Sequence, residues 1–197
     1  MLRPDYPIKT GRLLLRPFEE RDLADLHALT SDPEVVRYLY WEVHDEAGTR
    51  DALSRQMAQG ELTGEGQRLV LAVQLRATGQ VIGQVVLKWV SVAHHQGELG
   101  FVFNRAFHGK GYAREAAEVG LRLGFEELGL HRVTAACDVL NEPSWRLMER
   151  LGMRREAHFV EDEIFKGQWG EQLIYAILAR EWRSRNASRP ASSATTG

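Results

Sequence analysis

Cysteine is nearly absent from this chain. The single Cys137 excludes an intrachain disulfide, and it sits in an apolar stretch where a small buried side chain suffices, as expected in a reducing compartment. Long apolar runs are missing too. No stretch of about 18 residues could span a bilayer, and the opening Met1-Leu2-Arg3-Pro4-Asp5-Tyr6-Pro7 lacks an apolar leader core. A soluble, cytoplasmic protein with no membrane partner is the expectation. Neither charge dominates: 25 Lys and Arg against 27 Asp and Glu give a formal net charge of −2. With the arginines dispersed, a general nucleic-acid partner is excluded. No His/Cys/Asp cluster has zinc spacing, and His94-His95 is a plain pair in an expected turn, so no metal is expected.

The 197 residues suit one domain, expected over residues 1–185. Residues 186–197 are rich in Ser, Ala and Thr with few large apolar side chains, and a disordered tail is expected there. Leu13–Arg16 reads as a strand stopped by Pro17, and Glu19–Leu29 as a helix. Asp32-Pro33 opens a helical turn, and Asp45–Gly60 reads as a polar helix. Three β-rich runs follow, Arg68–Leu75, Gln80–Trp89 and Gly97–Phe103, the first two joined by the turn Ala77-Thr78-Gly79. The period then becomes helical from Ala113 to Leu128, returns to alternation over Arg132–Leu140, and is helical again over Pro143–Leu151. Two late strands, Arg154–Phe165 and Glu171–Leu178, flank the turn Lys166-Gly167-Gln168. This order predicts an α/β (α+β) fold, a mostly antiparallel mixed sheet of about seven strands with helices on both faces.

The most informative segment is Phe107-His108-Gly109-Lys110-Gly111-Tyr112-Ala113-Arg114-Glu115, between a strand and a helix. Two close glycines admit left-handed backbone and let main-chain N–H groups approach an anion. A helix starting there adds unpaired N–H donors and the positive end of its dipole, so the turn fits a pyrophosphate. It lacks Gly-x-x-x-x-Gly-Lys-Ser/Thr and the third glycine of the dinucleotide fingerprint, which disfavours ATP and NAD. Alone, the glycines would point first to a tight turn after a strand.

A second segment, Asn141-Glu142-Pro143-Ser144-Trp145-Arg146-Leu147-Met148-Glu149-Arg150-Leu151-Gly152-Met153, changes that balance. Taken with the turn, it resembles the GNAT superfamily of N-acetyltransferases. The family pattern is Arg/Gln-x-x-Gly-x-Gly/Ala, a helix and strand, then Asn-x-x-Ser/Ala and a helix ending Leu-Gly-Phe. The likeness runs from about Gly11 to Trp182. Arg12-Leu13-Leu14-Leu15-Arg16-Pro17 and Asp32-Pro33-Glu34-Val35 are similar to the branch that acetylates ribosomal-protein N-termini.

The resemblance implies acetyl-CoA as co-substrate and an amine as acceptor, either a protein N-terminus or a small molecule; a non-catalytic CoA-binding module is the alternative. It implies pyrophosphate binding by the backbone of His108, Gly109, Lys110, Gly111, Tyr112, Ala113 and Arg114, with His108 departing from the usual Arg or Gln. By the same likeness Phe101, Val102 and Phe103 belong to a strand that splays from its neighbour and serves the pantetheine arm, as does Asn141. Arg146 and Arg150 either meet phosphates or stand solvated on a helix face. Ser144 either donates to the departing thiolate or caps its helix. Glu163 is the first candidate for the base that deprotonates the amine, and Glu98 the second. The family's frequent tyrosine acid is Met148 here, which leaves the acid role to Ser144 or water. Tyr38, Tyr40 and Trp41 either line the acceptor cleft or pack in the core. Cys137 is expected to be core, the alternative being a nucleophile. A homodimer is compatible with such a fold.

Overall fold

The computed structural model describes residues 1–187. In chain order the elements are β1 (Ile8–Lys9), β2 (Leu13–Arg16), α1 (Leu23–Thr30), α2 (Pro33–Val36), α3 (Glu46–Met57), β3 (Arg68–Leu75), β4 (Val81–Ser91) and β5 (Gln96–Phe103). There follow α4 (Tyr112–Arg122), β6 (Arg132–Asp138), α5 (Glu142–Arg150), β7 (Arg154–Phe165), β8 (Gln168–Leu178) and α6 (Ala179–Ala187). A π-helical turn, Leu123–Glu127, extends α4 toward the expected end at Leu128. The strands form one sheet in the order β1-β2-β3-β4-β5-β6-β8-β7. Every pairing is antiparallel except β5 with β6.

Alternation on β3 explains how the sheet takes helices on both faces. Leu69, Leu71, Val73 and Leu75 enter the main core with Ala116, Ala117 and Leu121 of α4 and Leu147 and Met148 of α5. Val70 and Ala72 point the other way and pack with Leu26 of α1 and Leu53 of α3. Capping fixes where the helices begin: Asp32 accepts from Glu34 N at the start of α2, and Asp45 from Gly48 N at the start of α3. A buried ion pair ties the end of β2 to the turn before α1, with Arg16 Nη1 and Nη2 reaching Asp22 Oδ2 and Oδ1 at 2.7 and 2.8 Å.

Four details correct the expectation. The sheet has eight strands, because the two-residue β1 pairs with β2. The β7–β8 turn is only Lys166-Gly167, with φ of 48° and 82°, the two left-handed residues of a tight hairpin, so Gln168 already belongs to β8. The chain also continues as α6 through Asn186 and Ala187, where a disordered tail was expected. The rest of that expected tail lies outside the described residues. Glu19–Leu29 is not one helix but a 3-10 turn, Glu20–Asp22, followed by α1, because Asp22 is drawn back to cap Glu19 N. Among the described residues, no helix is long and apolar enough to cross a membrane.

Candidate active site

The turn between β5 and α4 is shaped by its backbone. Asn104 caps a short 3-10 turn by accepting from Ala106 N at 3.0 Å. Gly109 and Gly111 then take φ of 74° and 80°, and Gly111 precedes α4 directly. No neighbour crowds a Cβ at Gly109, so its φ rather than space demands glycine. Unlike α3 and α5, α4 has no side-chain cap. Its first-turn N–H groups thus have no capping side chain to accept from them.

Side chains in this turn are engaged with the protein itself. His108 Nε2 lies 3.1 Å from Phe103 O, which ties the turn back to the end of β5. Lys110 Nζ donates to Ala106 O at 3.1 Å, and Arg114 Nε to Glu118 Oε1 at 3.1 Å. Behind the turn, Arg12 donates from Nη1 to Lys110 O at 2.8 Å and stacks 4.5 Å above the Tyr112 ring. Its Nε reaches Glu115 Oε2 at 2.7 Å, while Thr10 Oγ1 and Arg12 N donate to Glu115 Oε1 at 2.6 and 2.8 Å. Burial by itself would raise the Glu115 carboxyl, but these bonds from Thr10 and Arg12 hold it below its ordinary value.

Beyond the turn the sheet opens. β5 and β6 pair over only Gln96↔Arg132, Gly97↔Val133 and Glu98↔Thr134. After Glu98, β5 stays with β4 as far as Phe103, and β6 stays with β8 as far as Asp138. The wedge between them is part of a cleft of about 550 Å³. Gly100, Phe101 and Val102 line one side of it, Ala136, Cys137 and Asp138 the other, with Asn141, Ser144 and Met148 of α5 alongside.

Asn141 caps α5, its Oδ1 accepting from Ser144 N at 3.3 Å. Ser144 is therefore not the cap, and its hydroxyl is turned to Cys137. Burial pushes the Cys137 thiol up to about 11, with the Ser144 hydrogen bond opposing the rise, so it is protonated at neutral pH and a poor nucleophile. It packs beside the main core as a half-buried residue.

Tyr38, Tyr40 and Trp41 all reach the cleft, as do Glu98 and Glu163. Glu163 Oε1 accepts from Tyr40 Oη at 2.6 Å, and Gln172 Nε2 donates to the same hydroxyl at 3.2 Å. Desolvation, joined by the hydrogen bond to Glu163, pushes the Tyr40 phenol up to about 12. Lys166, at the tip of the β7–β8 hairpin, donates to Val36 O at 2.9 Å and Trp41 O at 3.1 Å. Tyr40 also meets Phe165 edge-on at 5.3 Å, so the hairpin and the segment after α2 form one wall. Arg146 is paired with Glu142 and borders, with Trp145, Glu149 and Arg150, a separate shallow depression. The structure does not bring Arg146 and Arg150 into the main cleft.

Lys166 and Gln172 had no assigned task in the sequence, nor had the Arg12–Glu115 buttress, and Tyr40 was a candidate for the cleft lining but not for orienting Glu163. No local signal marks them, because the Tyr40–Glu163 and Arg12–Glu115 pairs join residues 123 and 103 positions apart.

The splayed pair, the uncapped helix behind a two-glycine turn and the carboxylate-bearing cleft define an acyltransferase scaffold. The acetyltransferase (GNAT) domain model matches residues 12–154, and the chain belongs to that family of acetyl-CoA-dependent N-acetyltransferases. It is 36% identical over 175 residues to the uncharacterized N-acetyltransferase YnaD of Bacillus subtilis, covering 89% of this chain and 98% of that protein. A GNAT-family acetyltransferase structure from Bacillus anthracis superposes with a TM-score of 0.79 at 36% identity, over 88% of this chain and 98% of that one. The spermidine N-acetyltransferase of Vibrio cholerae, solved with CoA and spermine, shares the fold with a TM-score of 0.74 at 22% identity, over 88% and 99% of the two chains.

Proposed function

We propose that residues 1–185 work as one domain transferring an acetyl group from acetyl-CoA directly to a primary amine, both bound together in the cleft. The observation that carries this reading is the convergence of Glu163, Glu98 and Ser144 on the cleft where β5 leaves β6. Bound acetyl-CoA supplies an acetyl thioester and a thiolate leaving group.

The chain's own groups have separable tasks. The free N–H groups opening α4 receive the pyrophosphate, and Gly109 and Gly111 give the backbone the shape to do so. The edge of β5 at Phe101–Phe103, no longer paired with β6, offers main-chain groups to the pantetheine arm. Asn141 uses Oδ1 in its cap, which leaves Nδ2 to donate to the same arm. Glu163, oriented by Tyr40, takes the proton that an ammonium must lose before its nitrogen can attack. Glu98 is the second proton acceptor. Ser144 Oγ donates to the sulfur as negative charge develops there.

This task order predicts that E163Q lowers kcat by about 10²-fold or more while leaving the KM for acetyl-CoA unchanged, and that E98Q costs less. Free-thiol release across pH is the measurement. Unchanged turnover of the doubly substituted protein at every pH would sink the carboxylate assignment.

A further inference from the structure

Charge is divided across the cleft. Arg55, in the last turn of α3, lies on one wall with Arg68 and Lys88, whose backbones pair at the end of the β3–β4 ladder. Val70 N donates to Gln59 O at 2.8 Å, which joins the end of α3 to β3 and puts these cations on the same side. Among the described residues none of the three has a carboxylate within salt-bridge distance, although Lys88 faces Glu98 across the β4–β5 pairing. The opposite wall holds the acids, and each is engaged. Tyr40 holds Glu163, His158 holds Glu171 at 2.6 Å, and Leu140 N donates to Asp138 at 2.7 Å. Between the walls stands Glu98 at the last β5–β6 pair.

Buried polar atoms add to the pattern. Gln84 is only 5% exposed and lines the cleft, yet its Oε1 has no partner. Trp41 Nε1, on the same lining, is a buried donor with no acceptor. Native proteins rarely leave such groups unmet, so an occupant bearing both a donor and an acceptor suits this space.

Resting on the amine-acetylation reading above, we infer that the acceptor carries a carboxylate as well as its amine. Its ammonium lies toward Glu163 and Glu98, and its carboxylate toward Arg55, Arg68 and Lys88. Guanidinium groups free of other partners receive a carboxylate in charge-assisted, two-pronged fashion. A polyamine places cations against that same wall and is repelled. Free amino acids and peptides with an acidic residue next to the N-terminus present this chemistry equally.

The test compares acceptors that differ in one charge. Phenylalanine is paired with phenethylamine, a peptide beginning Ala-Glu with one beginning Ala-Lys, and spermidine is added as the polycation, with thiol release as readout. The expected result is at least a tenfold advantage in kcat/KM for the carboxylate member of one pair, and the pair that shows it separates free amino acid from peptide. The advantage should vanish in the R55Q/R68Q protein, whose KM for acetyl-CoA should be unchanged. Equal turnover within both pairs, a preference for spermidine, or an advantage that survives R55Q/R68Q overturns the inference while leaving amine acetylation standing. Calorimetric titration of phenylalanine and the Ala-Glu peptide covers the converse. Binding that R55Q/R68Q abolishes, without turnover, upholds the carboxylate site and counts against direct transfer to the amine held there. Neither binding nor turnover with either overturns the carboxylate inference and leaves amine acetylation to be read from the other acceptors.

Discussion

The β5–α4 turn and the cleft are built from different materials. At the β5–α4 turn the proposed site is one of backbone, with two left-handed glycines and an uncapped helix, while the side chains of His108, Lys110 and Arg114 bond within the protein. In the cleft the proposed acceptor site is one of side chains, with Tyr40, Glu163, Glu98, Arg55 and Arg68 brought in from α3, the β strands and the segment after α2. A backbone site tolerates changes of side chain and fails when φ is forbidden. A side-chain site holds its backbone and changes its choice of substrate.

The strongest way to break this comparison is G111V. A β-branched residue at φ of 80° is strained. Displacing even one or two N–H donors from a charged phosphate costs about 1.5–3 kcal/mol each, so acetyl-CoA affinity should fall on the order of 100-fold. Calorimetry measures it, and near-normal affinity would mean that the backbone is not the binding element. K110A, by contrast, should leave affinity within a few-fold.

A smaller effect is expected from E115Q, which removes the charge beneath the turn. The folded Glu115 carboxyl sits below its ordinary value, so its contribution to stability is fully present above that value and disappears as pH falls through the folded one. The variant should lose about 1–2 kcal/mol at neutral pH and lose less than the parent between neutral and acid conditions. Thermal melts at stepped pH compare the two. Parallel curves would show that Thr10 and Arg12 do not stabilise the carboxylate.

The least effect is expected at Cys137. With its thiol pushed up to about 11, alkylation should quicken about tenfold per pH unit until pH approaches that value, and C137A should change turnover less than about twofold. Fast alkylation at neutral pH would assign this wall of the cleft a reactive thiol.

Legibility followed the same division. The β3–β4–β5 meander, the α4 crossover and the Asn141 helix were readable because alternation, helical period and capping are written in consecutive residues. The two-glycine turn before α4 was readable for that reason too. Position beside a helix left Tyr38, Tyr40 and Trp41 open between cleft and core; all three line the cleft, yet nothing nearby signalled that Tyr40 would bond to Glu163. The two-residue β1 fell below the length at which alternation exists, and α6 carries little apolar periodicity apart from Ala179 and Trp182. Arg146 and Arg150 were ambiguous because a helix face alone does not state what lies opposite it.

The Arg12 contact with the β5–α4 turn has a thermodynamic corollary. Arg12 immediately precedes β2, at the edge of the sheet farthest in sequence from α5, and it braces the carbonyl of Lys110. Any free energy that this brace lends to binding must be returned: a ligand that prefers the braced turn stabilises the docked β1–β2 edge by the same amount. Saturation at the turn should therefore appear as slower amide exchange at Leu13–Arg16, making β2 a reporter of occupancy.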